Sequence, residues 1–228
     1  PPDTYRNWSE KLPIFHVYTK PFRKFRVLYH NPNQQLLIAE ADLVDQLKNV
    51  QSQSKAFEVL IDTYKQRLYW HIRGIVLNHD DADDVLQNTF IKVFRNIDGF
   101  KGDSKLYSWI YRIATNEALS FLKSKSKKQG ISNEELQNQM LDNLQADVYF
   151  EGDEIQLKLQ KAIATLPEKQ KLVFNMKYFQ ELKYGEISEI LETSVGGLKA
   201  SYHLAAKKIE AFLKEEWFKK NIPLYGSY

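Results

Sequence analysis

Closely spaced aspartates between His79 and Asp84 are the feature of this sequence most suggestive of metal chemistry. Asp80, Asp81 and Asp84 form a DDxxD pattern, which could bind Mg²⁺ and a diphosphate as in terpenoid synthases. Such an enzyme also needs a deep apolar pocket and a second acidic cluster facing the first, and the sequence has no such cluster. The alternative is an acidic helix start, where aspartates complement the helix dipole and the downstream face meets a partner.

Other residue types that carry out chemistry are scattered along the chain. The sequence contains no nucleophile–base pair, phosphate-binding glycine loop or zinc motif, and its five histidines lack ligand spacing. We therefore expect no enzymatic activity, no cofactor and no metal site. There are no cysteines, which favours a reducing cytoplasm. No apolar run approaches the roughly 20 residues that span a bilayer, so we expect no membrane insertion.

Aromatic and basic residues alternate across 100–112, around the loop glycine Gly102. Single-stranded nucleic acid is bound by stacking bases on aromatic side chains beside a basic track, at about 1–3 kcal/mol per base. A polar loop can also receive an unstacked base. The alternative is that Trp109, Ile110 and Ile113 belong to the core.

A helix-turn-helix pattern occupies residues 184–209. Apolar residues at helical spacing mark a first helix, a short turn follows, and Ser194 is well placed to cap a second helix that begins with small residues. Such a second helix fits the major groove of duplex DNA. An αα-hairpin inside a larger bundle is the alternative.

These motifs require helices to position them, and helical periodicity covers residues 41–130 and returns over residues 154–220. The predicted helices are Ala82–Asn96, Leu106–Lys123, Lys169–Tyr178, Tyr184–Leu191 and Val195–Lys214. We predict an all-α chain of two small helical domains joined by a flexible linker. The predicted divisions are an N-terminal extension at 1–40, a first domain at 41–123, an acidic flexible linker at 124–153, a second domain at 154–220 and a tail at 221–228.

Charge is unevenly distributed. Lys and Arg outnumber Asp and Glu in 98–130 and 195–220, and the reverse holds in 131–160. This pattern suits two nucleic-acid contacts separated by a segment that avoids DNA, although ordinary surface charge would also explain it. Residues 1–40 hold five of the seven prolines together with many aromatic and basic residues, which suggests a binding arm for an additional partner.

Taken in order, the motifs resemble the extracytoplasmic-function (ECF) sigma factors of the sigma-70 family. The resemblance covers about 50–122 (region 2) and 155–213 (region 4). The matching motifs are Asp83–Phe90, Phe100–Ser104, Trp109–Asn116, Leu166–Gln170, Glu186–Leu191 and Ser194–Lys199.

The resemblance implies a sigma factor that directs bacterial RNA polymerase core to promoters and stabilises the melted −10 region. It implies docking on the clamp coiled coil of the largest subunit, a further contact with the flap, and an anti-sigma factor as a possible inhibitor. The implied polymerase-binding residues are Asp83, Asp84, Gln87, Phe90, Ile91 and Phe94. A stand-alone helix-turn-helix regulator is the alternative function.

The resemblance also implies two contacts with promoter DNA, one single-stranded and one duplex. The implied −10 residues are Lys101, Asp103, Ser104, Lys105, Tyr107, Trp109, Arg112 and Asn116. The implied −35 residues are Ser194, Gly196, Gly197, Lys199, Ala200, Tyr202, His203 and Lys207.

The sequence departs from the family pattern at several positions. Asn88 replaces a usual acidic residue, and Lys183 replaces the usual serine cap. Ala200, Tyr202 and Ala206 stand where serine or arginine is common, which weakens the expected reading of the −35 element. We therefore expect promoter choice to depend partly on a recruiting partner that binds residues 1–40.

Overall fold

The structure is a computed structural model that describes residues 40–144 and 154–221. These ranges contain nine α-helices, a short 3₁₀ turn and no strands. The helices are α1 (Glu40–Lys48), α2 (Gln53–Val76), α3 (His79–Asn96), α4 (Leu106–Gln129), α5 (Asn133–Leu144), α6 (Glu154–Ala164), α7 (Glu168–Tyr178), α8 (Tyr184–Leu191) and α9 (Val195–Asn221), and the 3₁₀ turn is Ile97–Gly99. The prediction of an all-α fold is confirmed for these ranges.

The first half of the described chain, residues 40–144, is built around α2, α3 and α4, which pack on one another. Their apolar residues recur at helical spacing, so each helix buries one face, including Leu60, Val93 and Ile110. Asn78 caps α3 by accepting a hydrogen bond from the Asp81 backbone N–H at 2.9 Å. The acidic run 79–84 is therefore a helix start, three residues earlier than the sequence predicted.

Helices extend into the segment that the sequence assigned to a flexible linker. Helix α4 continues past Lys123 to Gln129 and ends at Gly130, whose φ of 66° suits glycine. Helix α5 follows at once, because Ser132 and Glu135 form a capping box. The Ser132 N–H donates to Glu135 Oε2 at 2.7 Å, and the Glu135 N–H donates to Ser132 Oγ at 3.1 Å.

In the second half of the described chain, residues 154–221, α6 and α7 pack against α9 around a small separate core. Phe174 is fully buried at its centre and stacks on Tyr178 at 5.1 Å. Helices α8 and α9 form the predicted helix-turn-helix, with bounds that match the prediction at 184, 191 and 195. Ser194 caps α9 as predicted, accepting a hydrogen bond from the Gly197 N–H at 3.3 Å.

The two halves share the larger apolar core. Leu182, Ile187 and Leu198 of the second half belong to the same buried cluster as the first-half residues. Helix α8 lies against α4, and α7 lies against α2. The domain divisions at 41–123 and 154–220 stay predictions.

Several predictions concern residues that the structure does not describe. The binding arm predicted at 1–40 lies outside the described residues except for Glu40, which begins α1. The acidic segment 145–153 and most of the predicted tail at 221–228 are outside as well. Within 40–144 and 154–221, no helix combines the length and apolar character needed to span a bilayer.

Candidate nucleic-acid interface

The predicted polymerase-binding residues lie on α3, and we call their solvent-facing side the docking face. Asp83, Asp84 and Gln87 are exposed. Ile91 and Phe94 are 41% and 40% exposed and, at i and i+3, form a neighbouring pair of exposed large apolar side chains on one helix. Acidic residues followed about two and three turns later by apolar ones form a surface suited to a protein partner with a basic rim.

Phe90 differs from the other predicted docking residues because it is buried, with 8% of its surface exposed. Its ring packs edge-on against Phe57 of α2 at 6.3 Å, and the same Phe57 ring lies 4.9 Å from Phe94. Phe90 therefore supports the docking face from below and does not belong to its surface. Helical spacing alone does not show which of Phe90 and Phe94 is buried, because both lie near the edge of the apolar stripe of α3.

The loop between Phe100 and Leu106 carries four of the predicted −10 residues. Gly102 adopts a φ of 81°, a conformation that glycine accepts without strain. Lys101, Asp103 and Lys105 are exposed, and Ser104 is half-buried. Their side chains therefore present donors and acceptors to solvent on a loop whose shape depends on glycine.

Helix α1 holds both ends of this loop. The Lys48 ammonium donates to the Phe100 carbonyl oxygen at 2.6 Å, and the Leu106 N–H donates to the Glu40 carboxylate. Lys105 offers no side-chain acceptor, so Glu40 satisfies one of the free N–H groups at the start of α4. Neither Glu40 nor Lys48 could be predicted from the sequence, because nothing in their local pattern links them to a loop more than 50 positions away.

The −10 residues on α4 do not form one exposed surface. Asn116 is exposed, and Trp109 is half-buried with its ring 5.3 Å from that of Phe100. Tyr107 is buried at 8% exposure, so it is not available at the surface as predicted. Its ring lies 4.6 Å from Tyr111, and burial raises the pKa of the Tyr107 hydroxyl. Ile110 is a core residue, as the alternative interpretation of the 100–112 motif predicted.

The predicted −35 residues surround the start of α9. Ser194, Gly196, Lys199, Ala200 and Lys207 are exposed. The exposed surface of α9 is therefore weakly basic and carries small side chains at its N-terminus. The N-terminal residues of a recognition helix are those that approach base edges.

Gly197, Tyr202 and His203 are less accessible than predicted. Tyr202 packs inward, stacked on Phe174 at 5.6 Å, and burial raises the pKa of its hydroxyl. Gly197 and His203 are half-buried. Tyr202 lies one turn after Leu198, which is fully buried, so it continues the inner stripe of α9 and is not a DNA-facing residue.

Arg112, a predicted −10 residue, contacts the second half of the chain. Its Nη1 lies 2.6 Å from Glu192 Oε1, and its Nη2 donates to the Glu189 carbonyl oxygen at 2.6 Å. Glu192 ends α8 with a φ of 50°. The guanidinium is therefore committed to the turn of the helix-turn-helix.

Two more polar contacts join the halves. The Asn175 amide donates to the Gly74 carbonyl oxygen at 3.0 Å, and Gln180 Nε2 lies 3.0 Å from His71 Nδ1. We call these two contacts and the two made by Arg112 the closing contacts. Burial lowers the pKa of His71 to about 4, although the Gln180 hydrogen bond opposes this shift. In the sequence, His71 is one of five histidines without ligand spacing, and no local pattern marks it as an interface residue.

The acidic run 79–84 is engaged by other side chains. The Lys125 ammonium forms an ion pair with Asp81, and His79 Nε2 lies 3.7 Å from Asp83 Oδ2. Across the described ranges, no group of three or more metal-binding side chains is placed to hold an ion. The geometry assigns Asp81 to holding α4 against the start of α3.

The fold and these surfaces define a class: an all-helical protein with a helix-turn-helix and a separate helix that exposes acidic and apolar side chains. The model of Sigma-70 region 2 matches residues 60–128, and the model of Sigma-70, region 4 matches residues 156–209.

Similar proteins agree with both matches. The chain is 30% identical to the ECF RNA polymerase sigma factor SigW of Bacillus subtilis, over 70% of this chain and 90% of that protein. It is 28% identical to the ECF RNA polymerase sigma-E factor of Haemophilus influenzae, over 70% and 88%. The solved structure of CnrH in complex with the cytosolic domain of CnrY has a TM-score of 0.57 at 18% identity, covering 78% of this chain and 98% of that one, which supports the fold.

The chain belongs to the ECF sigma factors of the sigma-70 family. It is a sigma factor, a transcription initiation factor, and not a stand-alone helix-turn-helix regulator.

Proposed function

We propose that this chain directs RNA polymerase core to promoters through three surfaces, without catalytic activity of its own, in the cytoplasm. The docking face would bind the clamp coiled coil of the largest subunit, the 100–106 loop with α4 would hold melted −10 DNA, and the start of α9 would contact the −35 element. The paired exposure of Ile91 and Phe94 beside Asp83 and Asp84 is the observation that carries the proposal.

The docking face is tested by Phe94→Ala with purified core polymerase. We expect about a tenfold loss of affinity, because a large exposed apolar side chain at the centre of an interface is typically worth more than 1 kcal/mol. Val59 of α2 is 51% exposed and lies outside the docking face, so Val59→Ala is the matched control. Equal affinities for both variants would contradict the proposed role of the face.

The −10 role of the loop is tested with two glycines. Gly102 has a φ of 81°, whereas Gly99 is not in a left-handed conformation and a Cβ added there meets nothing within 4 Å. Gly102→Ala strains the loop by about 1–2 kcal/mol and is expected to reduce promoter melting with little change in core affinity. Gly99→Ala should leave promoter melting and core affinity unchanged. If Gly102→Ala also leaves promoter melting unchanged, the loop does not contribute to melting.

Duplex DNA contact by α9 is expected to be weak and mainly electrostatic. Lys199 and Lys207 are exposed, but no arginine lies among the predicted −35 residues. Lys207→Ala should weaken duplex binding for all sequences alike and lower the salt dependence by about one phosphate contact. Asp142→Ala on the exposed surface of α5 controls for the loss of a charged side chain.

The overall proposal is tested by run-off transcription on genomic fragments, with core polymerase in the presence and absence of this chain. Discrete start sites that depend on the chain are expected, and their absence would overturn it. Two structural neighbours are described as complexes with CnrY and with the anti-sigma factor NepR. By analogy, we propose that an anti-sigma factor binds this chain.

A further inference from the structure

A cavity of about 270 Å³ lies where α2, α4, α5 and α7 meet, and none of the residues assigned to polymerase or DNA contact lines it. Protein interiors are packed so closely that voids much larger than a water molecule are uncommon. Since a water occupies about 30 Å³, the cavity has room for about nine water-sized groups. Most of its lining is apolar, and the main contributors are Leu119, Leu122, Leu136, Met140, Leu166 and Leu172.

The amide of Asn175 leaves an unused acceptor at this cavity. Asn175 is 7% exposed, and its Nδ2 donates to the Gly74 carbonyl oxygen at 3.0 Å, which fixes the orientation of the amide. Its Oδ1 is buried and has no hydrogen-bond partner among the described residues. A buried acceptor left unsatisfied destabilises the folded chain, so a molecule that donates to Oδ1 would be bound favourably.

Lys171 adds a cation beside that acceptor. It lines the cavity one turn before Asn175, and residues at i and i+4 share one face of a helix. Burial lowers the pKa of its ammonium to about 8, although Glu168 opposes this shift. In the part of the chain that the structure describes, no carboxylate lies within ion-pair distance of the ammonium.

The other charged residues of the lining are more exposed than Lys171. Lys123 of α4, Glu134 of α5 and Glu168 of α7 are all exposed, whereas Lys171 is half-buried. The two carboxylates are therefore screened by solvent, and the inner part of the cavity combines apolar walls with one cation and one acceptor. This combination is complementary to an anion that carries a hydroxyl and an alkyl chain.

We propose that the cavity is a binding site for a small amphipathic hydroxy acid, a ligand that the polymerase and DNA contacts of the proposed function do not require. The carboxylate lies against the Lys171 ammonium, the hydroxyl donates to Asn175 Oδ1, and the alkyl chain packs on the leucines of α4 and α5. About nine non-hydrogen atoms match the volume, and 3-hydroxyhexanoate has this size and this arrangement of groups.

Isothermal titration calorimetry of the full chain with 3-hydroxyhexanoate at pH 7 tests the site. A ligand of this size is expected to bind with a Kd of about 0.1–1 mM. Hexanoate lacks the hydroxyl and should bind about fivefold more weakly, and hexane-1,3-diol lacks the carboxylate and should bind at least about tenfold more weakly. Equal affinity of the three compounds would overturn the proposal. The absence of binding by all three would do the same and would leave the cavity to water.

Two variants of the lining locate the ligand. Lys171→Met removes the ammonium and keeps most of the apolar stem, so affinity should fall at least about tenfold without a loss of stability. Lys169→Met is the matched control, because Lys169 is an exposed lysine of α7 that does not line the cavity. Gln137→Trp adds a large ring to the lining and should abolish binding. Unchanged affinity in Lys171→Met or in Gln137→Trp would contradict the proposed site.

The pH dependence of binding separates the ionic contact from burial of the alkyl chain. Because the pKa of the free Lys171 ammonium is about 8, the group is mostly protonated at pH 7 and mostly neutral at pH 9. The anion prefers the protonated form, so affinity is expected to fall by up to about tenfold as the pH rises between these values. Lys169→Met should show the same fall, and Lys171→Met should not. A fall of equal size in Lys171→Met would refute the contact between the carboxylate and Lys171.

Discussion

The enclosed histidine at the interface predicts that this protein loses stability in mild acid. The pKa of His71 is lowered from 6.5 to about 4 by burial, so the folded chain holds the ring neutral while the unfolded chain protonates it. The stability that the neutral ring contributes is complete above pH 6.5 and is lost as the pH falls toward 4. Between pH 7.5 and pH 5.0 the linkage amounts to about 2 kcal/mol.

The structure also indicates where the added proton would go. The Thr115 hydroxyl donates to the Tyr111 carbonyl oxygen at 2.7 Å, so its oxygen accepts from His71 Nε2–H and leaves Nδ1 facing the Gln180 amide. Protonation at Nδ1 would place a charge at the junction of the two halves, in a site without a carboxylate partner among the contacts described. Opening of the junction and loss of stability are therefore expected together.

Urea denaturation at the two pH values, for the unmodified chain and for His71→Gln, measures this effect. Glutamine stays neutral and keeps hydrogen-bonding groups at the site, so its free energy of unfolding should change by about 2 kcal/mol less over the interval. Carboxylates titrate in both proteins and cancel in the difference. The same pH dependence in both proteins would refute the assignment.

Two further predictions concern helix starts. Asn78→Ala removes the acceptor of the Asp81 N–H and should lower the free energy of unfolding by about 1 kcal/mol, measured by urea denaturation; an unchanged midpoint would contradict the cap. Gly196→Ala should raise the melting temperature, with a gain of up to about 1 kcal/mol, because a Cβ there meets nothing within 4 Å. Gly197→Ala is the control, since its Cβ would lie 3.2 Å from Ser194 Oγ. An equal or larger rise in melting temperature for Gly197→Ala would show that the free space around the Cβ does not determine the gain in stability.

Local signals in the sequence were sufficient for most helices and for the helix-turn-helix. The bounds of α8 and the Ser194 cap depend on neighbours within a few residues, and both predictions are confirmed. Helix α5 was missed although its signal was local: Ser132 and Glu135 have capping-box spacing, and the Ser132 N–H lowers the pKa of Glu135. The polar composition of the segment outweighed that signal.

Tertiary contacts could not be predicted in the same way. Arg112 lies 80 positions from Glu192, and no single-sequence pattern relates them. Burial of Phe90, Tyr107 and Tyr202 likewise depends on which helix packs beside each ring. The candidate residues lie on helices and loops that the sequence predicted, whereas their exposure depends on tertiary packing that it did not predict.

The long sequence separation of the closing contacts has a consequence for biosynthesis. They join residues 77 to 109 positions apart, whereas α2, α3 and α4 contact one another within a shorter stretch. Translation proceeds at about 5–20 residues per second, so Glu192 is added roughly 3–13 s after Gln129. During that interval a nascent chain can present the docking face and an uncovered α4 at the same time, a combination that the finished chain does not have, because α8 lies against α4.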